Sequence, residues 1–107
     1  MAKRRAPIHS GEILLEEFMR PAGVSQNALA RALGVNVARI ADIVHGRRGI
    51  SADTAVRLAA WWRTTPEFWM NLQVRHDLKT AAAALGVRGL AAIRPRPVAG
   101  QETPVVA

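Results

Sequence analysis

The stretch that decides the fold is Ser25-Gln-Asn-Ala-Leu-Ala-Arg-Ala-Leu-Gly-Val-Asn-Val-Ala-Arg-Ile-Ala-Asp-Ile-Val-His-Gly46. Ser25 suits an N-cap, Gln26 to Leu33 read as a helix, and Gly34 suits the left-handed stop after it. Asn36 caps a second helix, Val37 to His45, which Gly46 closes. Leu29, Ala30, Leu33, Gly34, Val35, Ile40 and Ile43 then fall where a helix-turn-helix needs them. Ala30 must be small because the second helix crosses close to it, and Gly34 tolerates the positive φ of the tight turn. Leu29, Leu33, Val35, Ile40 and Ile43 form the wedge between the two helices. With these buried, Val37, Ala38, Arg39, Ala41, Asp42 and His45 are left outward, as on a recognition helix facing a major groove. A plain helical hairpin is the alternative reading of the same pattern.

Working outward, the punctuation marks three more helices. The first starts after Ser10, an N-cap candidate, with Glu12 in its first turn, and ends at Pro21 and Gly23. The fourth starts at Ser51 with Asp53 in its first turn and reaches Trp61 or Trp62. The fifth has Thr65 as cap and Pro66 at the first helical position, and runs to about Ala84 with Gly86 beyond. No strand alternation of useful length and no internal repeat is visible. The expectation is an all-α, five-helix domain over residues 9–93, preceded by a basic arm (1–8) and followed by a Pro-rich tail (94–107).

The chain has 107 residues, 50% hydrophobic and 21% charged, which fits one domain with one core. It has no Cys, excluding a disulfide scaffold, a thiolate metal site and a cysteine nucleophile. No apolar segment follows the basic N-terminus as a secretory signal requires, and no apolar run approaches the length of a membrane span. A cytoplasmic location fits. Fifteen Lys plus Arg against eight Asp plus Glu leave a net charge of +7, and all but Lys3 and Lys79 of the cations are Arg. Arg suits bidentate contacts to phosphates and base edges, so the charge suggests a polyanionic partner, with an Arg- and Ala-rich proteome as the equal alternative.

On this reading Gln26, at a helix start, holds a phosphate, and Arg39 reaches a guanine edge or a phosphate. Asn36 is more a cap than a reader. Val37 and Ala38 touch a thymine methyl or allow close approach. Asp42 pairs with a neighbouring Arg or accepts from a cytosine amine. His45 contacts backbone or only the helix dipole, and Arg47 and Arg48 contact phosphate from their loop. The last helix shows two apolar sides. Phe68, Trp69 and Leu72 face one way, and Met70, Val74, Leu78, Ala81 and Leu85 the other. One side packs on the helix-turn-helix. The other is expected to meet a second chain, in an interface drawn from Trp62, Phe68, Trp69, Met70, Val74 and Leu78. A two-fold dimer places two recognition helices about 34 Å apart, one turn of DNA.

Catalysis finds no support. His9, His45 and His76 lack metal-ligand spacing, no cofactor motif occurs, and Gly46-Arg-Arg-Gly49 is no phosphate loop. Glu12, Glu16 and Glu17 read as a solvated acidic face or a docking surface for a basic partner.

His9-Ser-Gly-Glu-Ile-Leu-Leu-Glu-Glu-Phe18 resembles the HPGEIL-type opening of the HigA family of antitoxins, within the phage-repressor-like helix-turn-helix group. Residues Ser25 to Val35, Ile43-Val-His-Gly-Arg-Arg-Gly-Ile-Ser-Ala-Asp-Thr-Ala55 and Thr65-Pro-Glu-Phe-Trp-Met-Asn-Leu-Gln73 resemble the rest of its pattern. Ser10 stands where that family commonly has Pro, and Val37-Ala38 departs in the base-reading turn, so the operator sequence does not transfer. The resemblance implies a λ-repressor-like fold with an extended C-terminal helix. It implies an antitoxin of a type II toxin–antitoxin module. Such a protein blocks a small, basic, HigB-like mRNA endonuclease and represses its own operon by binding operator DNA as a homodimer. The resemblance places DNA contacts at Gln26, Val37, Ala38, Arg39 and the Arg47-Arg48 loop. The acidic face of Glu12, Glu16 and Glu17 is expected to take part in toxin capture, because the toxin is expected to be basic. Two alternatives stand beside this: a solitary repressor without a toxin, and a toxin neutraliser that no longer binds DNA.

Overall fold

The structure, a computed structural model, describes residues 8–98. The basic arm, apart from Ile8, and the tail beyond Val98 lie outside the described residues. Five helices follow in order, with no strand among the described residues. α1 spans 10–22, α2 is Gln26–Leu33, α3 is Val37–Val44, α4 is Ala52–Trp62 and α5 is Pro66–Ala91.

α1 differs from its expected form at both ends. Its cap is His9, whose Nδ1 accepts from the Gly11 N–H at 2.9 Å. Ser10, read from sequence as the cap, is instead fully buried, and its hydroxyl donates to Gln73 Oε1. A cap side chain must turn back over its own helix, whereas Ser10 is aimed into the core. Pro21 lies inside the last turn rather than after it, and Gly23 alone makes the left-handed exit, with φ of 67°. The six residues before that turn, Leu14–Met19, are π-helical. The wider π turn precedes the place where a proline ring would crowd the carbonyl of Glu17.

The other caps follow the sequence. Ser25 accepts from Ala28 N–H, Asn36 from Ala38 N–H, Ser51 from Thr54 N–H and Thr65 from Phe68 N–H. Each satisfies one of the N–H groups a helix start leaves unpaired. Gly34 takes φ of 72°, and beside it Val35 N–H donates back to Ala30 C=O at 3.0 Å. That pairing closes α2 and turns the chain into α3 within three residues.

The core is one cluster. Leu29, Ala30, Leu33, Ile40 and Ile43 are buried as the wedge, and Val35 packs partly buried against them. Leu14 and Met19 come from α1, Ile50 from the α3–α4 loop, Ala55, Leu58 and Ala59 from α4, and Trp69 from α5. α5 begins as a core helix and ends as a projection. From Asp77 onward its residues are exposed, apart from half-buried Gly86 and Gly89, and the molecule is drawn out to 56 × 35 × 23 Å. The helix runs past its expected end. Gly86 breaks it with φ of 67° and ψ of −178°, and a further turn follows. No helix among the described residues is long and apolar enough to cross a membrane.

Candidate nucleic-acid interface

The interface grows from the turn at Gly34. Its φ lets α3 leave α2 so that the first turn of α3 stands clear of the core. Val37 and Ala38 are exposed there, while Ile40 and Ile43 on the opposite side are fully buried. Gln26 lies half-buried at the start of α2. Asn36 uses its Oδ1 on the Ala38 N–H at 2.7 Å, which occupies it as a cap. His45 is exposed, and its Nδ1 lies 2.7 Å from Ala41 C=O, one turn back.

The cations on this face are engaged with acids. Asp42 pairs with Arg47 at 3.0 Å and with Arg48 at 3.8 Å. The backbone follows the same path, since the N–H groups of Arg47 and Arg48 both donate to Asp42 C=O. The basic loop is therefore folded back on the end of α3. Arg39 is half-buried, and its Nη1 donates to Asp53 Oδ2 at 2.8 Å and lies 3.4 Å from Thr54 Oγ1. Arg57 donates to the same Asp53 oxygen at 2.9 Å. Hydrogen bonds from Arg39 first, and then Arg57, hold the Asp53 carboxyl below the usual carboxylate range, so it is anionic at neutral pH.

Three residues that organise this face have no functional role in the sequence reading. Arg57 Nη1 donates to Leu33 C=O at 2.8 Å, satisfying the end of α2 at the turn. Its spacing of four from Asp53 was a legible ion-pair signal. Gln73 is buried, and its Oε1 accepts from Ser10 Oγ and from Ile50 N–H at 2.8 Å, while its Nε2 donates to Asp77 at 2.9 Å. One side chain thus ties α5 to the start of α1 and to the loop that carries Arg47 and Arg48. The available signal was a polar residue one turn after Trp69, on the core side of α5. Gly11 is the third: a Cβ there would lie 1.8 Å from the Ile43 carbonyl oxygen.

The remaining site residues fall in two other places. Glu12, Glu16 and Glu17 are exposed on α1, but Glu16 is paired with Arg20 at 3.1 Å. Of the residues expected at a chain–chain interface, Val74 and Leu78 are exposed, Phe68 sits at the margin, and Trp62 and Met70 are half-buried. Trp69 must be removed from that set. It is 0% exposed, packs on Phe18, and donates from Nε1 to Thr64 Oγ1 at 2.7 Å, so it has no surface left for a partner. Trp62 Nε1 is buried and finds no acceptor.

An all-helical core, a glycine turn, an outward first turn of α3 and an Arg loop folded onto the other end of that helix define a helix-turn-helix protein. The helix-turn-helix family model matches residues 15–60. Over 74 residues the chain is 50% identical to virulence-associated protein I of Dichelobacter nodosus, covering 69% of this chain and 68% of that one. It is 40% identical over 75 residues to antitoxin HigA-1 of Vibrio cholerae, 70% of each chain. The solved structure of Pseudomonas aeruginosa antitoxin HigA with the higBA promoter superposes with a TM-score of 0.80 at 49% identity, covering 83% of this chain and 97% of that one. The chain belongs to the HigA-type helix-turn-helix antitoxin family, whose members are DNA-binding antitoxins and regulators rather than enzymes.

Proposed function

We propose that this chain is the antitoxin of a type II module. It binds the operator of its own operon as a homodimer and neutralises a small, basic, HigB-like mRNA endonuclease in the cytoplasm. The observation that carries the DNA half is the first turn of α3, where Val37 and Ala38 stand exposed just after the turn at Gly34. Small side chains there let the α3 backbone approach base edges, while Gln26, Arg39, Arg47 and Arg48 meet phosphate or guanine from its margins. Asn36 shapes that turn as a cap, and His45 closes α3 beside the basic loop. Support comes from the Pseudomonas relative, whose structure was solved with a promoter.

The dimer half draws on α5. Val74 and Leu78 are exposed on a helix that projects past the core, with Trp62, Phe68 and Met70 at its base. An exposed apolar row on a helix of this length is expected to be covered by a second copy. For toxin capture the reading is the acidic outer face of α1, where Glu12 and Glu17 make no ion pair among the described residues.

The test is a gel-shift titration of the full chain against the duplex upstream of its own gene, at two salt concentrations, alongside co-purification with the product of the adjacent gene. Operator binding that weakens steeply with salt supports the DNA half. Reversing the charges of Glu12, Glu16 and Glu17 is expected to abolish toxin capture and leave operator binding intact; unchanged capture rejects that surface. Operator binding with no toxin gene adjacent favours the solitary repressor instead.

A further inference from the structure

Phosphate binding gains from every uncompensated cation, yet Arg39, Arg47 and Arg48 each face a carboxylate. Asp42 belongs to α3 itself and folds the basic loop onto its end. Asp53 is different, because it reaches across from α4 to Arg39. The pair is too exposed to contribute much to stability, with 31% of the Arg39 side chain and 56% of the Asp53 side chain accessible. Its consequence lies instead in what Arg39 presents to a partner. Only Nη1 is engaged, by Asp53 and Thr54, so the Nε and Nη2 donors of the same planar fork keep no protein partner among the described residues. Asp53 is also held from behind. Arg57 donates to it at 2.9 Å and itself donates to Leu33 C=O, so Asp53 keeps a second partner if Arg39 swings away.

We infer that Asp53 is a specificity-determining residue for DNA binding: it cancels the charge of Arg39 toward arbitrary phosphates while aiming the guanidinium for a directed contact. The inference rests on the DNA-binding reading above. Non-specific affinity comes from net charge and counterion release, and a fixed carboxylate beside the cation lowers both. A directed contact depends on where the donors point, which the Nη1 tether sets in advance. Asp53 therefore suppresses non-specific binding more than operator binding. On this inference Asp53 acts on the duplex through Arg39, as a positioning residue.

The experiment measures fluorescence anisotropy of the full chain on its promoter duplex and on a scrambled duplex of equal length, over a range of salt. Asp53→Asn keeps an acceptor but removes the charge. It is expected to tighten binding to the scrambled duplex about fivefold and steepen its salt dependence by about one counterion, with promoter affinity changing less than about twofold. Adding Arg39→Ala to that variant should erase the gain, which a loss of general fold integrity would not do. The inference is overturned if Asp53→Asn leaves the scrambled duplex unchanged. It is overturned equally if both duplexes weaken together with a lower melting temperature, or if the gain survives without Arg39. A wild-type chain that binds neither duplex would instead bring down the DNA-binding reading itself.

Discussion

The backbone of Gly11 lies against the carbonyl of Ile43 with no room for a side chain. A Cβ at Gly11 would sit 1.8 Å from the Ile43 oxygen and 2.5 Å from its carbonyl carbon. Both obstacles are backbone, so neither can rotate aside. The start of α1 is therefore seated directly on α3, and the position of α3 depends on a residue thirty-two places earlier. Gly11→Ala is expected to destabilise the fold by about 3 kcal/mol, the upper end of ordinary overpacking. Urea denaturation checks this, and a midpoint unchanged from wild type would contradict the packing.

Gln73 invites a second test. Replacing it with Leu removes the acceptor for Ile50 N–H and for the Ser10 hydroxyl, both inside the fold. A buried donor left unpaired costs about 2 kcal/mol. Beyond that loss, amide exchange at Ile50 should accelerate, because the loop bearing Arg47 and Arg48 has lost its anchor. Exchange as slow as in wild type would show that the loop is held by other means.

Gln73 and Gly11 also mark the limit of what pattern reading reached. Both were visible as residues: a glutamine one turn after a core tryptophan, and a glycine in a helix start. Neither announces its partner, because Ser10, Ile50 and Ile43 lie on other elements. Trp69 shows the same gap from the other side. Periodicity placed it on an apolar face of α5 but could not say whether that face met the chain's own core or another chain.

His9 supplies a pH dependence. Its Nδ1 accepts the Gly11 N–H and so must be unprotonated, and burial, followed by the charge of His76, holds its pKa below the ordinary value of 6.5. The rings of His9 and His76 meet edge to face at 4.8 Å, and Asp77 and Glu12 oppose the shift only in part. In the unfolded chain His9 takes up its proton first as pH falls. Stability is thus complete above pH 6.5 and declines below it, down to the lowered pKa of the folded state. His9→Asn keeps a capping side chain without a proton to gain, so its melting temperature should fall less than wild type between pH 7 and about pH 5. Parallel curves would show that His9 does not carry the effect.

The α5 row makes a prediction about assembly. Val74 and Leu78 are 46% and 66% exposed, so the double variant Val74→Glu, Leu78→Glu should leave the stability of the single chain within about 0.5 kcal/mol. In sedimentation the wild type is expected to run as a dimer and the variant as a monomer, with weakened operator binding from the loss of one recognition helix. A variant that still sediments as a dimer would move the interface elsewhere.

What the sequence determined alone is most of the local structure, the start of α1 and the end of α5 excepted. Gly34 and the caps at Ser25, Asn36, Ser51 and Thr65 act within four residues of themselves, and the Leu29–Ile43 spacing sets one buried stripe on two adjacent helices. Those short-range rules do not depend on the rest of the chain. The tertiary structure decided which residues meet across elements: Gly11 with Ile43, Ser10 with Gln73, Arg39 with Asp53, and Trp69 with the core. Such pairings follow from how helices stack in space. Helical periodicity says which side of a helix is apolar but not what that side will touch.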